Sequence, residues 1–70
     1  MMTLEDLLEY VNESAIINLY DGSSYELIDI YYKDDVPDYY LQCEVTDIFG
    51  DKDQHIGIEI DTLDGGDDDE

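Results

Sequence analysis

Arginine is absent from this chain, and lysine occurs only at positions 33 and 52. Against 21 aspartates and glutamates this leaves a net charge of -19 on 70 residues. Anionic lipid and nucleic acid would both be repelled by such a surface, so neither is a direct partner; the field favours a basic protein surface or a cation. Cysteine is scarce as well. With Cys43 alone, no internal disulfide, paired-cysteine zinc motif or redox pair can form, which points to reducing cytoplasm. No apolar run approaches the roughly 20 residues that a spanning helix requires. Residues Met1 to Tyr10 carry acids where a secretory leader carries a basic region, so no signal peptide of normal form is expected. Also missing are a Gly-rich phosphate loop, a serine or cysteine nucleophile with an evident base, and any catalytic signature. These absences argue against an enzyme, and so short a chain would struggle to enclose a water-excluding pocket.

What is present argues against disorder. The chain is 43% hydrophobic and holds seven tyrosines, residues that acidic disordered chains usually lack. Seventy residues support one small core and therefore one domain, read here as residues 1–62, followed by a disordered acidic tail over 63–70. A compact chain of this size has a radius of gyration of roughly 11 Å and a diameter of about 28 Å. Duplex DNA of that span holds roughly 16 charges, at about one per 1.7 Å of axis. The protein is therefore about as anionic as DNA of its own length.

Periodicity predicts an α+β domain. Leu4, Leu7, Leu8 and Val11 recur at helical spacing with Glu5, Asp6, Glu9 and Glu13 outward, which reads as about three turns from Thr3 to Asn12. Thr3 is the N-cap, paired with Asp6 in a variant capping box. Ala15 to Tyr20 and Tyr25 to Tyr32 read as an antiparallel hairpin closed by Asp21-Gly22-Ser23-Ser24. In its second strand, alternation directs Ile28, Ile30 and Tyr32 toward the helix. Pro37 starts a single helical turn through Leu41. Cys43 to Phe49 and His55 to Ile60 form a second hairpin, with Ile56, Ile58 and Ile60 on one face. The resulting architecture is one helix on one face of a four-stranded, mainly antiparallel sheet, in the order α-β-β-short helical turn-β-β, with the other face open to water or a partner.

Three groups of residues carry functional meaning. Glu5, Glu9 and Glu13 stand at i,i+4 spacing, where each like-charged pair costs about 0.2–0.5 kcal/mol. Retaining that repulsion in a marginal domain suggests that the field is used, beside the plainer readings of solubility or high-salt adaptation. The doublets Tyr31-Tyr32 and Tyr39-Tyr40 flank Asp34, Asp35 and Asp38, and rigid rings mixed with carboxylates suit a protein interface. In each doublet alternation places one ring inside and one outside. Third, Asp51, Asp53 and His55 share one side of an extended segment. They form a candidate metal set, Zn2+ being the ion that accepts imidazole and carboxylate together, with Cys43 as an additional ligand if a bulge turns it round. Simple alternation instead puts Cys43 on the Val45 face, away from His55. The spacing is not an EF-hand, because Ile56 occupies the position that needs glycine. A hairpin turn with a surface histidine is the plainer reading.

The opening Thr3-Leu4-Glu5-Asp6-Leu7-Leu8-Glu9-Tyr10-Val11 and the loop Asp34-Asp35-Val36-Pro37-Asp38 look like those of small phage-encoded proteins. Over residues 3–60 the size, charge and segment order resemble the anti-CRISPR proteins that inhibit Cas9. The resemblance implies a stoichiometric inhibitor, acting in the cytoplasm of an infected bacterial host as a monomer or small homo-oligomer. It would occupy a Lys/Arg-lined nucleic-acid groove and stop target DNA or guide RNA from loading, as a DNA mimic would. The residues expected to meet that partner are Asp34, Asp35, Asp38 and Tyr39, together with Glu44, Asp47 and Glu59 where they share the open sheet face. Two other classes stay open: a small zinc-binding protein centred on His55, and an acidic accessory subunit of a phage or bacterial assembly.

Overall fold

Thr3 begins the fold as an N-cap. In the computed structural model, which describes residues 1–62, the Asp6 N–H donates to the Thr3 hydroxyl and the Thr3 N–H donates to the Asp6 carboxylate, a reciprocal capping box. Helix α1 spans Leu4–Leu8, shorter than the three turns that the apolar spacing predicts. The early stop has local and distant causes. Tyr10 and Val11 donate to Leu7 and Leu8, three residues back, which tightens the turn, and the Asn12 side chain accepts from the Ser14 N–H and hydroxyl, a local bond that competes with helix. From far along the chain, Lys33 Nζ donates to the carbonyls of Leu8 at 3.2 Å and Val11 at 3.0 Å. The Leu8 carbonyl already accepts from the Val11 N–H, so Lys33 adds a second donor there and supplies one to the Val11 carbonyl just beyond the helix. One of the chain's two cations is thereby consumed inside the fold.

So short a helix is not stable alone. It holds because Leu4 and Leu8 are buried against a four-stranded sheet, each contributing about 1.5–3 kcal/mol. The strands are β1 (Ile16–Asp21), β2 (Leu27–Tyr32), β3 (Glu44–Gly50) and β4 (Ile56–Asp61). Both expected hairpins form, and the sheet order is β2-β1-β4-β3 with β1 and β4 parallel at its centre. The fold is thus α+β with a mixed sheet. Ile17 and Leu19 of β1 and Ile58 and Ile60 of β4 are fully buried beneath the helix. Between the hairpins the chain crosses the same layer through a 3-10 turn at Lys33–Asp35 and helix α2 (Asp38–Leu41), where Val36 joins the core. Part of β3's outer edge is covered by the amino terminus, through bonds from Leu4 N to Cys43 O and from Val45 N to Met2 O.

Strand β2 does not face as strict alternation predicts. Leu19 lies opposite Asp29 but Tyr20 lies opposite Leu27, so Ile28 has no partner residue and the phase changes there. Beyond this bulge Tyr31, not Ile30 or Tyr32, packs on the core, and Ile30 and Tyr32 are on the open face. Each tyrosine doublet still splits: Tyr31 and Tyr40 pack on the core while Tyr32 and Tyr39 are exposed. The tail expected over 63–70 lies outside the described residues.

Candidate protein-binding face

The face of the sheet away from α1 can be built row by row from the strand register. Tyr32 pairs with Ile16; Ile30, Asn18, Gly57 and Phe49 form the next row across all four strands; Leu27, Tyr20, Glu59 and Asp47 form the one after, and Asp61 with Glu44 the last. Neighbouring strands lie about 4.8 Å apart, so side chains along a row are in reach of one another. The Tyr20 and Phe49 rings meet at a centroid distance of 5.5 Å and an angle of 44°. A second bulge, at Thr46 in β3, lets the Thr46 hydroxyl hold Glu59 Oε1 at 2.9 Å.

At one end of this face four polar side chains interlock. Asp51 Oδ2 accepts from Tyr20 Oη at 2.7 Å and from Asn18 Nδ2 at 3.0 Å, while Asn18 Oδ1 lies 3.0 Å from His55 Nδ1. A carboxylate only accepts, so Asp51 orients the Asn18 amide with its oxygen toward His55, and His55 Nδ1 must carry the hydrogen and donate. Asn18 is nearly inaccessible at 5% exposure, and the network satisfies it. The Tyr20 and Asn18 bonds, with the Lys52 backbone N–H, hold the Asp51 carboxyl down to about 2. The reciprocal bond, with partial burial and the nearby charge, pushes the Tyr20 hydroxyl above its usual 10.0. The cluster ties the turn that follows Gly50 to the sheet. That turn needs tying, because Asp53 and Gln54 adopt positive φ values of 60° and 65°.

The residues expected to bind a partner fall into two groups on opposite layers. Asp34, Asp35, Asp38 and Tyr39 are exposed on the helical side, in the crossover that Val36 anchors. Glu44, Asp47 and Glu59 do share the open sheet face. The candidate metal residues are not brought together. Asp51 is turned into the Asn18 and Tyr20 bonds, and Asp53 is exposed in the turn. Cys43 is buried in the core on the other side of the sheet, its thiol directed to the Tyr39 carbonyl at 3.7 Å. Among the described residues no three His, Cys, Asp or Glu side chains are placed to hold a metal ion. No helix there is long and apolar enough to cross a membrane.

Sequence reading missed Asn18, Tyr20 and Phe49 as members of one face, and Lys33 as a helix cap. Only Asn18 gave a signal, as the polar residue between Ile17 and Leu19 in an otherwise apolar run. Compared with known protein families, curated proteins and solved structures, the chain matches none.

Proposed function

We propose that this chain is a non-catalytic inhibitor that occupies a basic surface of a host nucleic-acid-binding defence protein, a Cas9-type CRISPR effector first among them, and blocks nucleic-acid loading. The observation that supports this most is how little of the charge the fold neutralises. Sixteen of the 21 acids belong to residues 1–62. Of the two lysines, Lys33 is spent on the Leu8 and Val11 carbonyls, leaving Lys52 exposed. The longest dimension over the described residues is 38 Å, a span on which duplex DNA carries about 22 charges. Carboxylates on both layers give such a surface the reach and sign of the ligand it would displace. Inhibition by occupancy needs no turnover, and the field would speed encounter.

The test is titration into a guide-loaded Cas9 cleavage reaction. Inhibition should be complete near equimolar ratio when the protein is added before target DNA, and slight when it is added after. Binding should weaken steeply as NaCl rises from about 0.05 to 0.5 M, because screening shortens the range of the field. Cleavage that proceeds unchanged in excess protein, or association indifferent to salt, would overturn the reading.

A further inference from the structure

The open sheet face is divided. On its β2 side Leu27, Ile30 and Tyr32 are 47%, 48% and 51% exposed, adjoining Ile16, Asn18 and Tyr20 of β1. On its β3 side Asp47, Glu59 and Glu44 stand beyond Phe49, whose ring meets Tyr20 and extends the apolar half across the sheet. The halves touch where Tyr20 pairs with Glu59. Three large apolar side chains half in water on an edge strand are a liability in a chain this small, and contiguous apolar surface of this kind marks a contact site. Charge decides between occupants. A second copy would cover the apolar half but would bring -19 against -19, a juxtaposition that is strongly repulsive.

We propose that this face docks a protein surface with an apolar centre bordered by Lys or Arg. Leu27, Ile30 and Tyr32 cover the centre, and Asp47, Glu59 and Glu44 pair with the border. The helical-layer acids Asp34, Asp35 and Asp38 then supply long-range attraction without contact. This rests on the reading of a basic partner given above and adds where that partner sits.

The full chain, isotope-labelled for NMR, is titrated at about 0.15 M NaCl with two synthetic peptides of equal positive charge, one alternating Leu and Lys and one of Lys alone. The amphipathic peptide should bind at least about tenfold tighter, the scale of a few well-seated apolar anchors. Its shifts should fall on residues 16–20, 27–32, 44–49 and 57–59. The double variant Ile30→Thr, Tyr32→Thr should lose that preference with a dispersed, folded spectrum, whereas Asp34→Asn, Asp35→Asn, Asp38→Asn should keep it. Equal affinity of the two peptides, or shifts centred on 34–38, would overturn the proposal. So would a dimer at low salt that Ile30→Thr dissociates, since the face would then belong to a second copy. If Cas9 is unaffected but the peptide maps to the open face, only the inhibitor reading fails. If the double variant still inhibits Cas9 fully, only the docking assignment fails.

Discussion

The ring of Phe49 occupies the space above Gly57. A β-carbon on Gly57 would lie 2.5 Å from Phe49 Cζ and 2.6 Å from Cδ2, so the absence of a side chain in the central strand is what lets an edge-strand aromatic lie flat across the sheet and reach Tyr20. Gly57 has no positive φ; space is the whole of its requirement.

Gly57→Ala should therefore destabilise the protein by about 1–3 kcal/mol, the usual cost of forcing volume into a packed site. In a Phe49→Ala background most of that cost should vanish, because the two residues share one space. Urea denaturation of wild type, the two single variants and the double variant measures the coupling; additive effects would show that the ring and the glycine are independent.

Lys33 ties the crossover to the end of α1 through the carbonyls of Leu8 and Val11. Lys33→Met keeps the apolar stem and removes the donor, stripping a partly buried bond from the Val11 carbonyl and leaving Leu8 with the Val11 N–H alone, and should cost about 1–2 kcal/mol. Lys52→Met removes the same formal charge from an exposed turn and serves as the reference. Denaturation midpoints of the two variants should differ in that direction, and amide exchange should quicken in residues 8–11 of Lys33→Met alone.

Asp51 gives the fold an acid-sensitive anchor. Its carboxyl is held from an ordinary 3.8 down to about 2, chiefly by the Tyr20 hydroxyl and then by Asn18. A depressed carboxylate contributes stability that is fully present above the unfolded value and disappears as pH falls through the folded one. Wild type should therefore be more stable than Asp51→Asn at pH 7, and the gap should close between about pH 4 and pH 2. Denaturant titrations across that window test it, the comparison cancelling the other carboxylates common to both proteins. A gap that stays constant to pH 2 would mean that the charge of Asp51 is not what holds the turn.

Local chemistry made much of this protein legible in its sequence. Thr3 and Asp6 cap the helix because a cap is a contact between residues three apart. Both hairpins form where turn residues separate runs of β-branched and aromatic side chains, and Ile58 and Ile60 reach the core by simple alternation. Each tyrosine doublet divides as expected, but which ring of Tyr31-Tyr32 turns inward is reversed by the bulge, and Tyr39-Tyr40 divides on the helix α2 rather than on a strand. Tertiary structure decided the rest. The parallel pairing of β1 with β4 joins segments that no turn connects, and only burial of Ile17 and Leu19 beside Ile58 and Ile60 selects it. Helix α1 ends where Lys33 arrives from the crossover. The bulge at Ile28 turns Ile30 and Tyr32 outward, since one extra residue exchanges the two faces of everything beyond it. Charge was countable from composition alone, but its division between a helical layer and an open sheet face depends on which way each strand turns. That is set by packing against residues far along the chain.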